Sequence, residues 1–438
     1  MSTESTQEYT YKEVTNAWCF YDWGSSAFTT TGEAAVLPVY FNIITEGIFK
    51  PATATAYWGY VNSLSLLVAA LLAPVLGSIA DYTGGKKKLL SFFAGIGIIA
   101  TLLMVFINTG DWVLALILFF FGSVGLGASY IFYDALLPHV AKDEDSDYIS
   151  SKGYAMGYLG GGLLLAINIA MIWFLPDNNW GYRLSFFSVG IWWTLFTLPL
   201  LRRVQEPPAN TAGIGVGVNP LEAGFKRLGQ TFQHIRRYRE LFKFLIAFWL
   251  YNDGIGTIIK MSTIYGAEIG IDAMSMVGAL LLTQFVGIPF SLLFGKFGKK
   301  IGTKQAVMLG LGWYAFLTVL GYFMTSAWQF WALAFGVGMV QGGTQALSRS
   351  LYSQMAPKAR SAEFFGFYDI SSKFAGIVGP LLFGIISQLT GESRLSILAV
   401  MIFFIGGILL LTRVDEDEGK RIAREENLRA AAAGVINQ

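Results

Sequence analysis

Gly77-Ser78-Ile79-Ala80-Asp81-Tyr82-Thr83-Gly84-Gly85-Lys86-Lys87-Lys88 is a short, polar, glycine-rich and basic stretch set between two long apolar runs. Hydrocarbon would not accommodate it, so it reads as a turn between two membrane-crossing helices. Glycine lets the chain reverse within few residues, and three successive lysines favour water and an anionic cytoplasmic leaflet. The pattern returns half a chain later as Gly295-Lys296-Phe297-Gly298-Lys299-Lys300-Ile301-Gly302-Thr303-Lys304, aligning Gly77 with Gly295, Gly84 with Gly302 and Lys86 with Lys304. One turn carried twice, each time between the second and third apolar spans of a half, is the mark of a duplicated membrane transporter.

Composition agrees with that class. Hydrophobic residues make up 54% of the chain and charged residues only 14%, with a mean hydropathy of +0.52, whereas a soluble domain carries about 25% charge. The single Cys19 excludes an internal disulfide or a cysteine metal cluster. Met1 to Thr15 is polar without an apolar core, so no cleavable signal peptide is expected and the first span inserts by itself.

Twelve spans of about 20 to 28 residues follow, enough to cross ~30 Å of hydrocarbon. They run Ala17 to Ile44, Ala56 to Ala80, Leu89 to Ile107, Trp112 to Leu137, Gly153 to Leu175 and Leu184 to Leu201 in the first half. Leu241 to Tyr265, Ala273 to Phe294, Gln305 to Met324, Trp328 to Leu347, Phe364 to Leu389 and Leu395 to Leu411 form the second. The expected fold is therefore an all-α polytopic membrane protein with a six-helix bundle over 1–201, a linker over 202–240, a second six-helix bundle over 241–413 and a tail over 414–438. The linker holds Pro207-Pro208 and the basic run His234-Ile235-Arg236-Arg237-Tyr238-Arg239, which reads as a surface helix beside anionic lipid rather than a nucleic-acid site. The tail reads as a solvated helix.

Of the 31 basic residues only Lys50, Arg183 and Arg394 fall opposite the glycine-lysine turns, and Lys260 and Lys373 lie within spans. The excess of Lys and Arg on the turn side places both termini, linker and turns in the cytoplasm.

Charges inside spans need a reason, because each costs at least ~2.5 kcal/mol at the bilayer centre. At 100° per residue Asp22, Ser26, Thr29, Glu33 and Tyr40 form one polar stripe on the first span, facing other helices or a water-filled cavity. The seventh span carries Trp249, Asp253, Thr257 and Lys260 on one face, and the fourth offers Tyr130, Tyr133 and Asp134. The tenth presents Gln341, Gln345 and Ser348, and in the eleventh Asp369 and Lys373 are four residues apart and able to neutralise each other. Asp81, ending the second span, is placed to cap the N-terminus of a facing helix. Glycines of the fifth span (Gly157, Gly160, Gly161, Gly162) and the eleventh (Gly376, Gly379, Gly384, beside Pro380) would allow close crossing and bending.

The first turn resembles the signature of the major facilitator superfamily. Within it the chain is similar to the vacuole-effluxer-like branch related to the autophagy-linked amino-acid permeases of fungi. The matching pieces are Tyr21-Asp22-Trp23 with Ser26-Ala27-Phe28, Ala135-Leu136-Leu137-Pro138, Gly157-Tyr158-Leu159-Gly160-Gly161, Tyr251-Asn252-Asp253-Gly254, Gln345-Ala346-Leu347-Ser348-Arg349-Ser350 and Glu363-Phe364-Phe365-Gly366. The resemblance implies two six-helix bundles rocking about a central site, with amino acids or similar small metabolites as cargo. It assigns Asp81, with Gly77 and Gly84, to a cytoplasmic latch between the halves. The chain departs from the pattern at Asp134, where Asn is usual, and at Glu33 and Lys260, where apolar or small residues are usual.

Asp22, Ser26, Glu33, Asn252, Asp253, Lys260, Gln341, Gln345 and Lys373 are thus the candidates for binding or coupling. Gly77, Asp81, Gly84, Asp134 and Arg349 are the candidates for the cytoplasmic gate. His139 and His234 fall in expected loops, and no phosphate-cradling Gly-x-x-x-x-Gly-Lys-Ser/Thr occurs, so neither an enzyme, a metal site, a cofactor nor an ATP-driven pump is expected. The expectation is a monomeric secondary transporter of a small polar metabolite in a bacterial cytoplasmic membrane, contacting lipid, with a proton as co-substrate carried on Glu33 or Asp253. Glu33 and Lys260 are expected to meet across the cavity as an outer gate or to clamp a zwitterion. The alternatives are sodium coupling or uncoupled facilitation in place of the proton, a cargo such as a sugar or organic anion, and a non-transporting sensor or assembly protein on a transporter scaffold.

Overall fold

The computed structural model describes residues 9–49, 51–175, 179–211, 219–233, 237–375, 378–390 and 393–432. Lys50, His234, Arg236 and Gly376, named above, lie outside them. Among the described residues all regular structure is helical, and the twelve spans are present. The first is built from α1 (Tyr11–Ala27), a π-helical segment (Phe28–Ala35) and α2 (Val36–Ile44). The next five are α3 (Pro51–Thr83), α4 (Lys86–Leu103), α5 (Trp112–Val140), α6 (Ser146–Phe174) and α7 (Trp180–Arg203). After α8 (Pro220–Gln233) come α9 (Arg239–Glu268), α10 (Ala273–Ile301), α11 (Thr303–Tyr322), α12 (Ala327–Met355), a span divided into α13 (Ser361–Phe374) and α14 (Val378–Thr390), α15 (Ser393–Thr412) and the tail helix α16 (Glu416–Ala432).

Local chemistry explains the ends and breaks. Thr10 and Glu13 form a reciprocal capping box that starts α1. The eleventh span divides because Pro380 has no N–H to offer and its ring would meet the carbonyl four residues back; it is tolerated instead in the first turn of α14. The π-helical segment changes the angular step per residue, so the stripe drawn at 100° does not extend past it. Tyr40 accordingly turns away from Glu33, donates to the Ile107 carbonyl at 2.8 Å and stacks on Tyr182.

Three expectations are corrected. His139 lies in the last turn of α5, near the Ser361 hydroxyl at 3.2 Å, rather than in a loop. The tail helix is docked: Ala423 is buried, Gly419 meets Met355, and Asn427 accepts from the Lys358 backbone at 2.8 Å. Gly162 and Gly384 face open space, whereas Gly157 and Gly160 do sit at a close crossing. A Cβ on Gly160 would lie 2.3 Å from the Trp23 carbonyl oxygen of α1.

Nine of the helices are, among the described residues, long and apolar enough by composition to cross a membrane. The first span, α9 and α12 fall short of that composition, and each of them contributes a polar side chain to the central cavity described next.

Candidate functional site

A cavity of about 210 Å³ lies between the halves. Its first-half wall carries Glu33 from the π-helical segment, Ser123, Tyr130 and Asp134 from α5, and Tyr154 from α6. Its second-half wall carries Phe248 and Asn252 from α9, Gln345 from α12, and Tyr368, Asp369, Ser372 and Lys373 from α13. Glu33 accepts from the Ser123 hydroxyl at 3.0 Å and feels the charge of Lys373. Lys373 is ion-paired with Asp369 one turn earlier on the same helix, and its ammonium also approaches the Gly127 carbonyl of the opposite half at 3.4 Å. As a cation in the last turn of α13, Lys373 also complements the partial negative charge of that helix end.

The remaining binding candidates are placed elsewhere. Ser26 packs on Gly157 at the α1–α6 crossing. Gln341 lines a separate, mainly apolar cavity of about 150 Å³ within the second half, together with Thr257 and Met261. Asp253 is buried and accepts the Gly379 backbone N–H at 2.9 Å, holding the start of α14 as an anion at a helix N-terminus does. Lys260 is exposed on α9 and lines neither cavity. Glu33 therefore shares the central cavity with Lys373 and not with Lys260.

Beneath the cavity a buried polar layer joins the halves. Arg349 of α12 donates from Nη1 to Asp134 at 3.0 Å and lies 3.5 Å from Asp22. Its Nε and Nη2 donate to the Ser150 hydroxyl and carbonyl, both at 2.9 Å. The guanidinium lies over the rings of Trp18, Tyr133 and Tyr154, a packing that suits its delocalised charge. Asp22 also accepts the hydroxyls of Tyr130 and Tyr133, both at 2.9 Å.

Further toward the glycine-lysine turns the halves close on one another. A Cβ on Gly77 would lie 2.1 Å from the Ala362 carbonyl, so only glycine lets α3 meet α13. Asp81 accepts the backbone N–H groups of Ala362 and Glu363 at 3.2 and 2.8 Å and pairs with Lys86 at 2.7 Å. It thus caps the N-terminus of α13 across the halves. Gly84, at φ +64°, turns the chain where a side chain would also strike Ala209.

Several residues in this closure were not singled out from sequence. Asp147, in the first turn of α6, accepts from Thr303 at 2.7 Å and Gln354 at 3.2 Å, so the second turn is met by an acid from the opposite half. Asp147 in α6 and Glu363 in α13 are each an acid in the first turn of a helix, and that feature is the signal that could have found Asp147, since the 218-residue offset of the turns carries it to Phe365. The linker contributes Glu206, which accepts the Lys87 N–H through both oxygens at 3.1 and 2.9 Å. Asn210 bridges the halves, its N–H on the Asp81 carbonyl at 2.8 Å and its side-chain amide on the Ala359 carbonyl at 3.0 Å. Burial pushes the Glu206 carboxyl above its ordinary range, against the Lys87 N–H and the charges of Lys86 and Lys87.

The family described as vacuole effluxer Atg22 like matches residues 10–424. The uncharacterised MFS-type transporter YxiO of Bacillus subtilis is 38% identical over 419 residues, covering 94% of this chain and 97% of that protein. Autophagy-related protein 22 of Pyricularia oryzae is 25% identical over 450 residues, covering 83% of this chain and 66% of the fungal protein. Among solved structures, the major facilitator superfamily proton:xylose symporter XylE aligns with a TM-score of 0.68 at 17% identity, covering 96% of this chain and 98% of that one. A bacterial homologue of the iron transporter ferroportin in an outward-facing state aligns at 0.67 and 12%, covering 92% and 98%. At those identities the structural likeness speaks for the fold: two six-helix bundles of the major facilitator type.

Proposed function

The chain belongs to the vacuole effluxer Atg22-like family and is an MFS-type transporter, and on that premise we propose that it moves a small zwitterionic metabolite, an amino acid or a close analogue, by proton-coupled alternating access. The observation that carries this reading is the presence of opposite charges on the two walls of one cavity: the Glu33 carboxylate on the first half and, paired with Asp369 while no cargo is bound, the Lys373 ammonium on the second. A zwitterion placed between them gives its ammonium to Glu33 and its carboxylate to Lys373, and in doing so ties the two halves together. Asn252, Gln345 and Ser372 supply neutral donors and acceptors around it. The bundles are taken as 1–201 and 241–413, joined by 202–240. The turn face is taken as cytoplasmic on the distribution of Lys and Arg, and the protein as a monomer of a bacterial inner membrane. In this arrangement Gly77, Asp81, Gly84, Asp134 and Arg349 close the cytoplasmic side beneath a cargo site of Glu33 and Lys373.

The test is a screen of radiolabelled amino acids, sugars and organic anions in proteoliposomes with an imposed pH gradient. Accumulation of a zwitterion that collapses with the gradient, with KM raised at least tenfold by Glu33→Gln and by Lys373→Gln, is the expected result. Accumulation of no zwitterion, or a KM indifferent to both substitutions, would overturn the assignment.

A further inference from the structure

The buried layer beneath the cavity places two carboxylates around one guanidinium, and the two are not equivalent. We propose that Asp134 is a proton-binding site that biases this layer: ionised, it bonds Arg349 across the halves; protonated from the cavity, it gives up that bond, the tie between the halves weakens and the balance shifts toward an open turn face. The inference rests on the transport reading above and names the group through which a proton would act on the gate.

Asp22 is held by two tyrosine hydroxyls from its own half in addition to Arg349, and its side chain is 7% exposed. Asp134 has Arg349 Nη1 as its cross-half partner, is 15% exposed and lines the cavity. It is therefore the carboxylate of this layer that both bears the cross-half bond and meets the space through which a proton arrives.

The groups that face Asp134 or share its cavity are Tyr21, Asp22 and Glu33 from the first span, Tyr130 and Tyr133 from α5, Tyr154 from α6, Arg349 from α12, and Tyr368, Asp369 and Lys373 from α13, with Glu33 held by the Ser123 hydroxyl away from Arg349. Asp369 and Lys373 are occupied with each other. Asp22, Asp134 and Arg349 then sum to one uncompensated negative charge in a buried layer, which is costly to maintain in low dielectric. A hydronium ion in the cavity that gives its proton to Asp134 and leaves as water removes that charge. Asp22 and Ser150, also of the first half, still hold Arg349, so loss of the Asp134 bond strands no cation and weakens the tie between the halves without severing it.

The experiment measures the gate without cargo. Spin labels on cysteines at Lys142 and Lys300, exposed positions on opposite halves of the turn face, are introduced into Cys19→Ala protein. Distances are read by double electron–electron resonance in lipid nanodiscs between pH 5 and 8. The long-distance population should grow as pH falls, its ratio to the short one changing about tenfold per pH unit near the midpoint, as a balance governed by a single proton requires. Asp134→Asn should show the enlarged long-distance population at every pH, while Glu33→Gln should keep the parent slope. A parent protein without pH response, an Asp134→Asn variant with the parent slope, or loss of the slope in Glu33→Gln would each overturn the proposal. Should Asp134→Asn fail to fold, Asp134→Glu serves: a shifted midpoint with the slope kept supports the proposal, and an unmoved midpoint refutes it. A protein that opens with falling pH yet carries no solute in the screen above would sink the transport reading and leave this one standing.

Discussion

Replacing Asp81 by alanine removes, in one step, the counter-ion of a buried lysine and the cap of a helix in the opposite half. Lys86 is 1% exposed and Asp81 fully buried, with 2.7 Å between the charged atoms. Stranding one member of such a pair typically costs about 3 to 5 kcal/mol. Glu206 lies near enough to Lys86 to hold part of the orphaned charge, so the lower end, ~3 kcal/mol, is the figure to expect. The cap joins α3 to the N-H groups of α13, and opening exposes Lys86 to water, so the penalty falls mainly on the closed arrangement. At about 1.4 kcal/mol per tenfold, the ratio of closed to open should fall roughly a hundredfold. The assay is maleimide labelling of a single cysteine at Ala359, a buried position at the cross-half contact, in Cys19→Ala protein, for Asp81→Ala, Lys86→Met and the double variant. Asp81→Ala should label far faster than the parent, and the double variant should recover part of the closure because no charge is left stranded. Labelling at the parent rate in Asp81→Ala, or strictly additive effects, would show that the pair does not hold the halves together.

Gly77→Ala places a Cβ 2.1 Å from the Ala362 carbonyl, so the closed state should be lost at least as fully as in Asp81→Ala, read by the same labelling with Gly59→Ala, which has open space around it, as the unaffected control. The raised carboxyl of Glu206 makes the linker contact strongest below the ordinary glutamate range of about 4.3 and weaker as pH climbs through the raised value; Glu206→Gln should abolish that trend in amide hydrogen exchange of residues 204–211, corrected for intrinsic rates, between pH 4 and 7. Single cysteines near Lys87, Lys300 and Glu418 should react with impermeant reagents only from the cytoplasm, and reaction at any of them from outside intact cells would reverse the assigned orientation.

The repeated turn, the twelve spans and their grouping in two halves are legible in the chain itself, because a lipid solvent imposes long apolar helices and leaves few other solutions. The cap that Asp81 places on α13 could be expected from an acid at a helix end beside a basic turn, and the Asp369–Lys373 pair from a spacing of four on a regular helix. Such arguments hold while the angular step stays regular. Eight π-helical residues, Phe28–Ala35, break it, so Tyr40 leaves the stripe while Glu33 stays on the cavity. Which residues meet across the halves was decided only by tertiary packing. Glu33 faces the cavity with Lys373 rather than Lys260, Asp253 is engaged by the start of a divided helix, and Asp147, Glu206 and Asn210 become parts of the closure through partners far away in the chain. Periodicity orients a side chain about its own helix axis, but the rotation and approach of two bundles depend on where glycines permit contact and where buried charges find partners, and those are properties of the assembled fold.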